Sequence, residues 1–131
     1  MIVFSHHRLE GAEGGGAAAE VLAASPRVLA NVAGHAHRNR LRVRRGAAGA
    51  GGYWEIGTSS LIDFPQQARM LRVRETAGGG RVIETWTVDH DGRGLAGTAR
   101  ELAYLDAQGG RPLGYAGAGA DRNARLYLAR R

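Results

Sequence analysis

The chain has 131 residues, 44% of them apolar, and no cysteine, so it can build one compact core but holds neither disulfides nor thiolate metal sites. Its net charge is +6 and all 18 basic residues are arginine. Beside 21 glycines and abundant alanine, that lysine-free basicity reads as codon bias more than as the mark of a nucleic-acid partner.

Ile2-Val3-Phe4 is an apolar run that predicts a buried strand ending at Ser5. Nothing before it resembles a signal peptide, and no run reaches the roughly 20 apolar residues that cross a bilayer, which makes a cytoplasmic chain the default expectation. A glycine-rich loop over 11–16 leads to a predicted helix over 17–24, stopped by Ser25-Pro26. Residues 28–32 predict a second buried strand, which completes a parallel βαβ unit and runs into Gly34-His35-Ala36-His37. From Arg38 to Arg45 the pattern has period two: Arg38, Arg40, Arg42 and Arg44 on one face, Leu41 and Val43 on the other. After the turn at 46–52, Tyr53-Trp54-Glu55-Ile56 predicts its antiparallel partner, and 58–65 a loop. Alternation at 68–74 and 81–88, joined across Gly78-Gly79-Gly80, predicts a hairpin. Residues 94–107 have helical spacing, 109–119 predict a mobile glycine-rich stretch, and 123–128 an edge strand.

The histidines are grouped by this layout. His6 and His7 end the first strand, and His35 and His37 follow the second, so a parallel βαβ unit sets them side by side at the carboxyl edge of the sheet. An extended backbone would point the rings of His35 and His37 the same way. Neutral imidazole is a common transition-metal ligand, and His6, His35 and His37 are the candidate ligands. His90, within Asp89-His90-Asp91-Gly92, reads as part of a polar turn.

Ser5-His6-His7 after a strand, followed by Gly34-His35-Ala36-His37, resembles the last two motifs of calcineurin-like metallophosphoesterases. Trp54-Glu55-Ile56-Gly57-Thr58-Ser59 resembles the turn that follows them, and 53–69 resembles an uncharacterised actinobacterial-type subfamily. The resemblance covers residues 2 to about 75. It departs at Arg8, where proline is usual, and at Ala36, a variable position. It implies that His6 and His35 bind one metal and His37 the other, with His7 behind the ligands or facing phosphate. The implied cofactors are two divalent ions (manganese, iron or zinc), and the implied substrate is a phosphomonoester or phosphodiester. The implied class is α+β, the C-terminal half of a four-layer αββα sandwich with mixed sheet. Residues 1–76 would form that half-core and 77–131 its hairpin, helix and tail.

The family's first motifs, Asp-x-His, Gly-Asp-x-x-Asp and Gly-Asn-His-Asp or Glu, do not occur in this sequence. They supply the bridging carboxylate and the proton donor of the two-metal reaction, so the expectation is a fragment, inactive alone, whose partner is the missing N-terminal half. The strands at 2–4 and 28–32 are apolar on both faces, which predicts an exposed patch around Ile2, Phe4, Leu29 and Val32. Two alternatives stand beside it. One is an arginine-rich nucleic-acid module on 38–45, which lacks interleaved aromatics. The other is a non-catalytic metal-binding domain.

Overall fold

The computed structural model describes residues 1–47, 51–107 and 112–130. Four strands, β1 (Ile2–Ser5), β2 (Ala30–Ala33), β3 (Arg40–Arg44) and β4 (Tyr53–Gly57), form one sheet in the order β1-β2-β4-β3. β2 pairs in parallel with both β1 and β4, while β3 is antiparallel to β4, so the sheet is mixed. Strands β5 (Gln67–Glu75), β6 (Arg81–Asp89) and β7 (Ala124–Leu128) form a second, antiparallel sheet. The helices are α1 (Gly15–Ala24), α2 (Gly94–Ala107), α3 (Pro112–Ala116) and α4 (Gly119–Arg122). The fold class is α+β. No helix among the described residues is long and apolar enough to cross a membrane.

The alternation read along the sequence explains which faces meet. Phe4, Val32, Ile56 and Leu41 occupy one row across the first sheet and therefore share a face. From that face Ala30, Val32 and Ile56 pack against Ile83 and Leu126 of the second sheet. Val32, Ile56, Ile83 and Leu126 each contribute about 1.5–3 kcal/mol when fully buried. On the other face, α1 sets Ala23 against Val28 and Tyr53, with Val3 and Leu22 beside them. The remainder of that face is polar, because Asn31, Glu55 and Arg42 form one row and Arg40 belongs to the next.

The apolar patch is smaller than the sequence predicts. Val32 is buried, and Ile2 and Leu29 pack against the core, because the second sheet reaches over β2. Phe4, on the terminal strand β1, stays 71% exposed.

The stretch expected to be mobile, 109–119, falls partly outside the described residues, and its described part is ordered into α3 and the start of α4. Its anchors are tertiary. Asn39 N donates to Tyr115 O at 3.0 Å, Asn39 Nδ2 to Ala116 O at 3.3 Å, and Leu41 N to Asp121 Oδ1 at 2.9 Å.

Candidate metal centre

The parallel register pairs Ser5 with Ala33, so the residues that follow both strands leave the sheet from the same edge. The pairing continues for one further bond, Gly34 N donating to His6 O at 3.1 Å. Ser5 Oγ donates to His7 O at 2.8 Å and accepts from Asn31 Nδ2 at 3.1 Å, which ties the first histidine pair to β2.

Three imidazoles converge there. His35 Nδ1 lies 3.2 Å from His6 Nε2. The ring of His7 is centred 3.8 Å from that of His35 and 4.9 Å from that of His6. One ring nitrogen from each of His6, His7 and His35 falls within 4.8 Å of the others, and all three side chains are exposed. Slight desolvation, then the neighbouring imidazoles His7, His6 and His37, hold His35 below its ordinary value. That favours the neutral form, the one able to donate a lone pair to a metal.

His37 takes a different direction from the one the extended-backbone reading predicts. His35 and His37 both have positive φ, 55° and 49°. Ala36 N closes a three-residue turn on Gly34 O at 2.6 Å around His35. The i, i+2 rule applies to extended chain only, so the two rings have separate partners. His37 Nδ1 pairs with Asp63 Oδ2, an ion pair when the imidazole is protonated. Asp63 is itself fixed by its backbone N–H, which donates to Ser60 Oγ at 3.2 Å. His35, His37 and Asp63 border a cavity of about 280 Å³ that Asp106 and Tyr115 also line.

The antiparallel pairing of β3 with β4 brings the loops that carry His37 and Asp63 to one end, but nothing in the sequence singles out Asp63 within its loop as the partner. Of the residues read as a polar turn, His90 and Asp91 lie between β6 and α2 as expected, while Asp89 closes β6. Asp89 accepts from Gln67 Nε2 at 3.0 Å and pairs with Arg100. His90 Nδ1 accepts from Gly92 N at 3.0 Å, and Asp91 Oδ1 from Arg93 N at 3.1 Å.

Behind the histidine turn lies a network that the sequence did not announce. Asn39 is 1% exposed, and its Nδ2 donates to Gln67 Oε1 at 3.0 Å. Its Oδ1 accepts from Ser59 N at 3.3 Å and from Arg69 NH2 at 3.0 Å. Arg69 also donates to Thr85 Oγ1, Arg122 O and Asp121 O. Burial pushes the Arg69 guanidinium down to about 10, against a smaller upward pull from Asp121. This hub fixes Asn39 two residues after His37.

The donor set fits one transition-metal ion. Three imidazoles with open positions around them resemble an open zinc site, and no carboxylate among the described residues belongs to the group. It does not by itself fit a pair, which needs a bridging carboxylate. In comparisons with known proteins, no family model and no curated protein matches this chain.

Proposed function

We propose that the chain is the C-terminal portion of a dinuclear-metal phosphoesterase of the calcineurin-like superfamily, and that it supplies the second half of a four-layer αββα sandwich. One juxtaposition carries the reading: the strand-His-His and Gly-His-x-His elements meet at one sheet edge, with His35 Nδ1 3.2 Å from His6 Nε2. The exposure of Phe4 on terminal strand β1 supports further strands beyond it, contributed by the half that holds the remaining ligands.

In this reading His6 and His35 hold one metal, His7 lies close enough to complete its shell, and His37 is the chain's ligand to the second. When bound, such a pair supplies a hydroxide nucleophile at neutral pH and offsets the charge of a phosphomonoester or phosphodiester. The chain's own residues position donors. Asp63, accepting from His37 Nδ1, leaves the other ring nitrogen free to ligate, the usual role of a carboxylate behind a metal-binding histidine. The tight turn at Gly34-His35-Ala36 presents His35 to His6 rather than to His37. Without the bridging carboxylate and proton donor, the chain alone is expected to hydrolyse nothing.

Calorimetric titration of the chain with zinc or manganese tests this directly. The expected result is one weak site per chain, lost in His35→Ala. Two tight sites per chain, or binding indifferent to His35, would contradict it.

A further inference from the structure

The polar part of the first sheet's outer face is concave. A cavity of about 330 Å³ opens there, lined by Arg8, Arg38, Arg40 and Arg42, with Asn31 and Glu55 on its floor. The arginines come from three places. Arg40 and Arg42 belong to the wet face of β3, while Arg8 follows the histidine pair, and Arg38 follows His37. The sheet register sets Arg42 opposite Glu55 and Glu55 opposite Asn31, so these three side chains form one row beneath the arginines. Gly57 keeps the adjoining row open. A Cβ there would sit 2.9 Å from Arg38 O and 3.5 Å from Arg40 Cβ.

Charge inside this cavity is out of balance. Four guanidinium groups face one carboxylate, Glu55. Glu10, a carboxylate outside the cavity, is already divided: it takes Arg8 at 2.9 Å, Arg44 at 2.9 Å and Arg42 at 3.7 Å. Arg38 lies over the Tyr115 ring, 5.7 Å from its centroid. The carboxylate that favours the Arg40 cation is Asp121, whose oxygens already accept from Leu41 N and Ala118 N. Burial, then Arg42, Arg8 and Arg38, pull the Arg40 guanidinium below its ordinary value. Gathering like charges in a hollow is unfavourable unless an anion completes it.

We infer that this cavity is a binding site for a phosphoryl anion, a phosphate or diphosphate group of a small soluble molecule, gripped by Arg8, Arg40 and Arg42. Planar guanidinium groups match phosphate oxygens two at a time, which a row of lysines would not. The volume lies at the low end of ligand pockets, roughly 300–1,000 Å³, and so suits a compact anion. A polynucleotide would ask for an open groove with stacking aromatics. On β3 the basic row does not continue as one, because Arg44 is tied to Glu10 and Glu20. The site is separate from the histidine group, although Ala36 and Tyr115 border both this cavity and the one beside His37.

The test uses the intact chain in EDTA, so that loss of metal binding cannot imitate loss of anion binding. Pyrophosphate is titrated by calorimetry, with inorganic phosphate as the smaller probe and a single-stranded oligonucleotide series as the competing occupant. Pyrophosphate should bind one to one and tighter than phosphate. Arg40→Met, which keeps the aliphatic stem in place, and Arg8→Ala, in a loop, should each weaken it roughly tenfold or more, the expected loss of a charge-assisted contact. Arg125→Ala, on the second sheet, should leave it unchanged. The inference is overturned if pyrophosphate shows no saturable binding, or if folded Arg40→Met and Arg8→Ala bind it as the wild type does. It is overturned equally if oligonucleotides bind with affinity that grows with length, falls steeply with salt and resists displacement by pyrophosphate.

Discussion

Two clusters of polar residues lie either side of Arg38, and they are built in opposite ways. The histidine group is exposed, made from two short motifs, and seated on a turn in which His35 and His37 both carry positive φ. The Asn39 hub is buried, and its partners are scattered over the chain: Gln67, Arg69, Tyr115, Ala116 and, through Arg69, Asp121 and Arg122. The first holds local strain and leaves lone pairs free. The second pairs the buried amide of Asn39 and both terminal nitrogens of Arg69, leaving Arg69 Nε without a partner. Donor atoms kept available for a ligand have to be held by something else, and here the hub does the holding.

The sharpest way to break this contrast is to remove the centre of the hub. Arg69→Met leaves Asp121 O, Arg122 O and Thr85 Oγ1 short of a donor, and takes one donor from Asn39 Oδ1. Unsatisfied buried acceptors each cost about 1–3 kcal/mol, and some will relax, so a loss of about 3 kcal/mol is expected in urea unfolding. A loss below about 1 kcal/mol would mean the hub is ornamental to stability.

The histidine side should respond in the opposite sense. Left-handed backbone costs a residue with a Cβ roughly 1–2 kcal/mol, whereas glycine adopts it freely at some entropic penalty. His35→Gly should therefore raise the stability of the metal-free chain by up to about 1 kcal/mol while abolishing zinc binding. Denaturant melts and zinc titration of the same variant check both halves. Clear destabilisation would show that the turn at His35 is relaxed, not strained.

A smaller effect separates the wet face of the first sheet from both clusters. Burial, and next Glu10, raise the Glu55 carboxyl, while Arg8, Arg44 and Arg42 pull it down by less. With its folded value above the ordinary 4.5, the folded chain holds this proton more tightly than the unfolded one. The stability this contributes is complete below 4.5 and disappears as pH rises through the folded value. Glu55→Gln should gain on the wild type across that mildly acidic window, read from paired thermal melts. A constant difference between the two across the window would show Glu55 to be fully screened.

Legibility follows the same division. Strand positions, the β5–β6 hairpin, α2 and the facing of Leu41 against Arg40 and Arg42 were readable, because period-two and helical patterns are local. The meeting of His6 with His35 followed from parallel topology alone. What stayed hidden depends on contacts between distant residues or on a single dihedral angle. The Asp63 partnership, the ordering of α3 and α4 and the buried role of Arg69 leave no periodic trace. The positive φ of His37 could not be seen either, since histidine, unlike glycine, does not advertise that conformation.

Gly117 marks where two distant segments of the chain lock. Its φ is 72°, and a Cβ there would sit 2.5 Å from Asn39 O and 3.2 Å from Asn39 Cβ. The bonds beside it join residues 77 and 80 positions apart. Chains emerge from the ribosome N-terminus first, and contacts across such separations form only after the later partner has appeared. His35 and His37 are therefore synthesised well before residues 115–122, and the loop that carries them stays without its anchor until those residues are out. A metal met before then finds a loose tether of imidazoles, and one met afterwards finds a braced edge, so residues 115–122 set the moment at which the site acquires its shape.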